Sequence, residues 1–405
     1  MPRWLYYLLI LAVIAPIISL IWGPQQETAI FICSALGLVP LAALISRATE
    51  DLEYHVGPVA GGLLNATFGN APEIIIGIFA LQHGLISVVK ASITGSIIGN
   101  ALLVLGGSLA LGGWRWGRQY FSNRDAGQFS AMLVLSMAGL LIPYTANLAI
   151  QDTGRIHTIS VATAIILLVV YVFYLALHIF GVHSTRRKPA RATTSKPQTT
   201  PPRPSGKRQT TPLQAPREEN NEDDDKEEVE ESERARAVTG RLPLDMEAAS
   251  KPPSLWLAVL MLCITTIGTA WNSELLVGTI EPVARQLGWS TVFIGLVIIP
   301  IVGNAAEHSS ALIVAYRDRV DLSMAIAAGS SIQVATFVAP LLVLISLFYP
   351  QHLDLVFQPL ELVVLGLATI LFTFISLDGE SSWLAGVQLI AVYVIACVVF
   401  FLLPG

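Results

Sequence analysis

The chain is predicted to be an all-α membrane protein of about 11 transmembrane helices: one extra helix at the N-terminus, then an inverted repeat of two five-helix halves. Three observations predict this. Apolar runs of bilayer-spanning length recur from end to end. Two short motifs 234 positions apart are versions of one another. The number of spans between those motifs is odd, which sets the two halves in opposite senses across the bilayer.

Of the 405 residues, 53% are hydrophobic and 13% charged, with a mean hydropathy of +0.63. Soluble domains carry about a quarter charged residues. A helix needs about 20 apolar residues to cross the hydrocarbon core, and eleven such runs are read at 4–22, 28–46, 58–81, 86–112, 128–149, 157–180, 255–271, 289–315, 321–348, 355–376 and 383–402. The first is too long for the apolar core of a secretion signal and no small-residue cleavage site follows it, so it is expected to remain as a span. Cys33, Cys263 and Cys397 lie singly in apolar runs, a pattern of buried small hydrophobes rather than of disulfides or a metal cluster. No nucleophile–base set stands out, and an enzyme is disfavoured. Neither a cofactor nor a nucleic-acid partner is expected.

Residues 181–252 differ from everything around them. From Arg186 to Arg217 the chain is rich in Pro, Thr and Ser and holds nine Lys/Arg and no acid. From Glu218 to Glu233 it holds eleven acids and one lysine. The basic part cannot bury a core and is expected to be disordered. The acidic part has some helix-forming residues, opposed by like-charge repulsion; it reads as a solvated run, or as a weak cation-binding or regulatory element. The positive-inside rule makes this loop and the N-terminus cytoplasmic, which leaves 21 of the 24 Lys/Arg inside. Without the loop the count is seven, among them Arg115, Arg118, Arg124, Arg317 and Arg319, against Lys90, Arg155 and Arg285. The organisation is therefore an extra N-terminal helix at 4–22, a first membrane repeat over 28–180, the cytoplasmic loop 181–252, and a second repeat over 255–402.

The matched motifs are Gly69-Asn70-Ala71-Pro72-Glu73 and Gly303-Asn304-Ala305-Ala306-Glu307. The same offset brings Gly61 onto Gly295, Ala91 onto Ala325, Gly95-Ser96 onto Gly329-Ser330, and Ile98 onto Ile332. Away from span ends, acids are otherwise excluded from the apolar runs; Asp321 and Glu361 fall near ends. An ionised group at mid-bilayer costs about 2.5–3.5 kcal/mol on insertion scales, so a mirrored pair needs a reason. A single protonated carboxyl serving as a helix–helix contact would explain one glutamate but explains a matched pair poorly.

The neighbouring residues point to cation coordination. Asn70 and Asn304 precede the glutamates by three, which on a helix places amide and carboxylate on one face. Gly69, Pro72 and Gly303 are weak helix formers, and breaks there would free carbonyls to line a cavity. Ser96, Asn100, Ser330, Ser331 and Gln333 add hydroxyl and amide oxygens, while the glycines beside them allow close helix packing. The donors are all oxygen, which suits a hard divalent ion such as calcium. When the cation leaves, two close carboxylates are charge-balanced by protons, so cation and proton compete for one site. His308, beside Glu307, either packs or tunes that exchange; the other six histidines lie in loops or near span ends.

These stretches, 61–81 with 88–106 and 303–340, resemble the two repeat signatures of the calcium/cation–proton exchangers of the calcium/cation antiporter superfamily. The resemblance implies eleven helices, an inverted repeat, exchange of cytosolic calcium for protons, and ion- and proton-binding roles for Glu73 and Glu307. Asn70, Asn304, Ser330, Ser331 and Gln333 would stand nearby. Pro72 departs from the threonine or small residue common there, and Arg317 replaces a common lysine. SITGSIIGN is similar to bacterial members, which implies a bacterial plasma membrane. Manganese or another divalent ion as cargo, and sodium as counter-ion, remain alternative readings, and a channel or membrane sensor is a reading from another class.

Overall fold

The computed structural model describes residues 3–150, 152–180 and 254–403. The expected basic and acidic loop, 181–252, lies outside the described residues. The first half runs through α1 (Arg3–Trp22), α2 (Glu27–Val56), α3 (Pro58–Phe68), α4 (Ala71–Gln82), α5 (Ile86–Ile98), α6 (Leu105–Trp116), the short strand β1 (Gln119–Tyr120), α7 (Asn123–Ala149) and α8 (Thr153–Phe180). The second runs through α9 (Leu255–Gly278), α10 (Ile280–Leu287), the single turn α11 (Thr291–Phe293), α12 (Ile299–Gly303), α13 (Ala305–Tyr316), α14 (Val320–Gln333), α15 (Ala339–Ser346), α16 (Pro359–Asp378), β2 (Glu380–Ser381) and α17 (Trp383–Leu402).

Among the described residues, eight helices are long and apolar enough to cross a membrane, or ten when each of two bent pairs counts as one span. Residues 60–68 and 71–82 meet at 45°, and 280–287 and 291–303 at 118°. A shorter apolar helix, Tyr7–Trp22, stands outside that count, so the eight to ten candidate spans fall below the expected eleven. Helix ends depart from the apolar runs in both directions. α2 continues to Val56 and α9 to Gly278, beyond the apolar windows that ended at 46 and 271, because hydropathy marks lipid contact whereas the backbone pattern continues into polar helix formers. α16 starts later than 355, at Pro359, where Gln358 and Glu361 form a reciprocal capping box and the missing proline N–H falls among the first-turn donors.

The helices turn Phe173, Ile264 and Phe374 outward and bury their small and hydroxyl residues. Several buried hydroxyls are satisfied within the helix: Ser34 donates to the Ile30 carbonyl (2.6 Å), Thr49 to Ile45 (2.8 Å) and Thr336 to Ile332 (2.6 Å). That is how a polar side chain is carried at membrane depth without a water partner. Helices of opposite halves cross at backbone distance where glycine removes the Cβ: Gly95 meets the Leu296 carbonyl, and Gly295 meets Val88 and Ala91. Gly106 and Gly386 do the same between α6 and α17. β1 and β2 form an antiparallel two-stranded ladder, Gln119 opposite Ser381 and Tyr120 opposite Glu380, that joins the halves at one end.

The sequence repeat is present in the backbone. The α4–α5 turn places Gly84 at φ 72°, and its counterpart 234 positions on, Asp318 between α13 and α14, lies at φ 64°. Both turns close with equivalent hydrogen bonds, Leu85 N–H to Ala80 and Arg319 N–H to Val314. α5 runs on into a π-helical stretch at Gly99–Val104, and α14 into one at Val334–Val338. A third π stretch, Ile294–Ile298, has no partner, since the matching part of the first half is regular α3.

Candidate ion-binding site

Both motifs interrupt a helix at the asparagine. Asn70 has φ −98°, ψ 13° and Asn304 φ −96°, ψ 11°, so the two breaks are near copies. Gly69 keeps helical angles, φ −57°, ψ −35°. Gly69 lies between α3 and α4 and Gly303 ends α12, so both glycines border the breaks, and the residue that leaves helical angles is the asparagine. Pro72 sits in the first turn of α4, where its missing N–H is harmless. Gly303 also makes room: a Cβ there would stand 3.2 Å from Glu73 Oε1.

Each asparagine side chain caps the carbonyl four residues before it, and at Pro300 that carbonyl also accepts the Asn304 backbone N–H. Asn70 Nδ2 donates to the Ala66 carbonyl (2.9 Å) and Asn304 Nδ2 to the Pro300 carbonyl (3.1 Å), acceptors that are themselves 234 positions apart. The expected free carbonyls are thus capped by side chains at these two positions. The second proton of each amide crosses to the other half: Asn70 to Gln333 Oε1 at 2.6 Å, Asn304 to Ser96 Oγ at 3.2 Å. With both amide nitrogens aimed at acceptors, both amide oxygens are left for a cation.

Glu73 and Glu307 open their helices, one residue pair past the breaks, in the first turns of α4 and α13. The two carboxylates are close enough to act on each other electrostatically, and Oε2 of each is buried with no hydrogen-bond partner. A buried carboxylate oxygen without a donor is costly unless a cation or proton occupies it. Their surroundings differ. Glu73 borders a small cleft with Ser92, Ser96, Ile299, Val334, Val338 and Leu342. Glu307 is sealed, 8% exposed, and the Ser330 hydroxyl hydrogen-bonds it.

Behind Ser330 stands an oriented chain. Asn100 Nδ2 donates to Ser330 Oγ (2.9 Å), which leaves the Ser330 proton for Glu307. Asn100 Oδ1 then faces His308 Nε2 at 3.2 Å, so that nitrogen carries the ring proton. Ser331 does not join the site: its hydroxyl donates to Ala327 (3.0 Å) and reaches Ile97 (3.4 Å), tying α14 to α5. Of the sequence-predicted residues, Glu73, Asn70, Gln333, Glu307, Asn304, Ser96, Ser330, Asn100 and His308 are brought together.

Sequence reasoning missed a second polar group. Lys90 Nζ donates to the Val356 carbonyl (2.7 Å), His157 Nδ1 lies 2.9 Å from Asp354 Oδ1, and the His157 and His352 rings stack at 4.7 Å. It holds the non-helical 347–358 segment over α5 and α8. These residues are far apart in sequence, lie at span ends and repeat nowhere, so no spacing reveals them. Ser92 was missed as well, because only the helix packing shows which hydroxyls border Glu73.

A helical membrane protein of two inverted halves, with mirrored carboxylates at paired helix breaks, belongs to the class of alternating-access ion carriers. The chain belongs to the sodium/calcium exchanger protein family, whose model matches residues 27–180 and 257–402. It is 39% identical over 387 residues to the Ca(2+)/H(+) antiporter of Synechocystis sp., covering 95% of this chain and 92% of that protein. It is 37% identical over 379 residues to the Ca(2+)/H(+) antiporter ChaA of Bacillus subtilis, covering 92% of each. The solved structure of native YfkE matches with a TM-score of 0.74 at 34% identity, covering 98% of this chain and all of that one (100%). The H+/Ca2+ exchanger CAX shares the fold at a TM-score of 0.62 and 16% identity.

Proposed function

We propose that this protein is a secondary antiporter that exchanges calcium for protons by alternating access, with the two kinds of ion competing for Glu73 and Glu307. The observation that carries the reading is the pair of buried, unpartnered carboxylate oxygens at mirrored breaks; the relatives named Ca(2+)/H(+) antiporters support it. Calcium accepts six to eight oxygens in loose geometry. Glu73, Glu307 and the amide oxygens of Asn70 and Asn304 supply hard donors from both halves. Among the described residues no group of three or more His, Cys, Asp or Glu could hold a metal, so charge neutralisation falls to two glutamates and the rest to neutral oxygens. With calcium gone, the two negative charges repel in a poorly solvated site, and protons take its place.

The role of each side chain follows. The glutamates hold cation or proton; Asn70 and Asn304 cap the breaks and present oxygen; Ser96, Ser330, Asn100, Gln333 and His308 orient those groups. We place the protein in a bacterial plasma membrane, with the N-terminus and the 181–252 loop cytoplasmic, and divide it into the extra helix and two repeats on either side of that loop.

The test is calcium uptake into inverted membrane vesicles with an imposed pH gradient, acid inside. Uptake is expected to follow the gradient and to stop when an ionophore collapses it. Uptake that persists without the gradient and follows sodium would overturn the proton coupling. Raising the proton concentration on the calcium side is expected to raise the apparent KM for calcium with little change in maximal rate.

A further inference from the structure

An open groove of about 630 Å³ lies between α6 and α13, away from the glutamates and at the end of the molecule where β1 and β2 pair. Leu111, Leu312 and Ile313 form its apolar wall. It narrows where the helices touch, a Cβ on Gly107 being 3.1 Å from Leu312. Its other end carries two guanidinium groups, Arg115 in the last turn of α6 and Arg317 just after α13. Arg115 is held in place by aromatic rings: its Cζ stands 4.0 Å over Tyr316 and 5.1 Å from Trp116. The Trp116 indole N–H is in turn tied to the Tyr316 carbonyl at 3.0 Å. Arg118, a few residues on, pairs with Glu380. Neither Arg115 nor Arg317 has a carboxylate partner among the described residues.

The combination specifies an occupant with two parts. Paired guanidinium groups at interfacial depth fit a phosphate oxyanion. The apolar wall fits a hydrocarbon chain in the same molecule, and Trp and Tyr at that level are at home in the headgroup layer. A free phosphate would use only the arginines. So would the acidic run Glu218–Glu233 of the protein's own loop, which has a single apolar residue, Val229. We propose that the α6–α13 groove binds one anionic phospholipid, its phosphate between Arg115 and Arg317 and an acyl chain along Leu111, Leu312 and Ile313. The end in question carries Arg118, Arg124 and Arg319 as well, which is the side where the positive-inside rule puts the cytoplasm and where anionic lipids act on basic groups. The bound lipid bridges the two halves, since α6 belongs to the first and α13, which opens with Glu307, to the second.

The test uses the full-length protein in neutral detergent, titrated with phosphatidylglycerol or phosphatidylcholine of identical chains, with retained lipid counted by native mass spectrometry. The wild type is expected to hold one phosphatidylglycerol about 30-fold more tightly than phosphatidylcholine, as two interfacial arginines allow. Arg115→Gln with Arg317→Gln is expected to remove most of that preference, while calcium–proton exchange in phosphatidylcholine vesicles shows the variant to be folded. Arg115→Lys with Arg317→Lys is expected to keep part of it, and Leu111→Ser to weaken both lipids. An unchanged preference in the double glutamine variant overturns the proposal. So does displacement of the lipid by millimolar inorganic phosphate, which would make this an anion site. Tighter lipid binding after deletion of residues 190–235 would also overturn it, by showing that the acidic loop is the native occupant.

Discussion

The two glutamate motifs share one backbone and live in different surroundings. Asn70 and Asn304 break their helices with almost identical angles and cap equivalent carbonyls. Yet Glu73 borders a cleft and presses against Gly303, whereas Glu307 is sealed behind Ser330, Asn100 and His308. The duplication has preserved what makes an ion site, a carboxylate and an amide at a helix break, and has let the packing around it diverge. An exchanger built on inverted halves needs this: in any one conformation the equivalent elements must be packed unequally, so that exchanging their packings moves access to the other side.

The largest expected effect removes what the halves have in common. Glu73→Gln or Glu307→Gln each takes one charge from a two-charge site. At about 3 kcal/mol for breaking a buried ionic contact, each should lower calcium-driven exchange by at least about 100-fold. Neither should reduce the yield of folded protein on size-exclusion chromatography, since an amide fills the same space. Normal exchange by both variants would remove the glutamates from the mechanism and leave the symmetry without a function.

The next substitution separates the halves. Gly303→Ala puts a methyl 3.2 Å from Glu73 Oε1, whereas Gly69→Ala meets the Asn65 carbonyl of its own preceding turn. Gly303→Ala should therefore weaken calcium affinity, by about tenfold if it displaces one ligand oxygen enough to lose about 1.4 kcal/mol, and Gly69→Ala should act on thermal stability instead. Calcium titration by isothermal calorimetry alongside a melting curve distinguishes the two. Equal loss of affinity in both would mean that the glycines serve the breaks alike, as the sequence suggested.

How much of this was legible in the residues depends on whether a feature is local. The mirrored Asn–Glu pairs, the inverted halves and the meeting of both carboxylates follow from periodic hydropathy and one offset. The break at Asn70 rather than at Gly69 does not, because it is decided by which side chain can cap Ala66 once the helix ends. Gly303 reads as a helix breaker in sequence and is also a contact residue in space, which only the approach of Glu73 reveals. The π stretch at Ile294–Ile298 has no equivalent near Gly61, although Gly61 and Gly295 align. His157, His352 and Lys90 carry no signal at all until 347–358 folds across the ends of α5 and α8.

A smaller effect is expected where the halves differ most. Asn100 aligns with Val334, so its bonds to Ser330 and His308 exist on the Glu307 side only. Asn100→Ala removes one amide bridge and leaves Ser330 free to rotate its proton away from Glu307, at about 0.5–1.5 kcal/mol for a single buried hydrogen bond. Exchange should fall between about twofold and tenfold, and the change should show more in the proton dependence than in maximal calcium flux, because the hydroxyl acts on the charged form of Glu307. His308→Gln, whose amide can still donate to Asn100 Oδ1, should retain more activity than His308→Ala. If His308→Gln and His308→Ala behave identically, the ring packs and does not orient, and the asymmetry around Glu307 is one of shape.

The smallest effect is expected outside both halves. Deletion of about residues 190–235 removes most of the basic run and all of the acidic run, spares every residue of the Glu73–Glu307 site, and leaves more than 20 residues to connect α8 and α9. Transport driven by a pH gradient in inverted vesicles should stay within about twofold of the full chain, a difference below about 0.5 kcal/mol. Any change should appear as a shift in the calcium concentration at which flux is half-maximal, because eleven acids in one run attract cations weakly. That shift should shrink as ionic strength rises, since an exposed charge run is screened within about 10 Å at 0.1 M salt. Complete loss of flux in a correctly inserted deletion would place the loop inside the machinery, and the comparison between two sufficient halves would no longer hold.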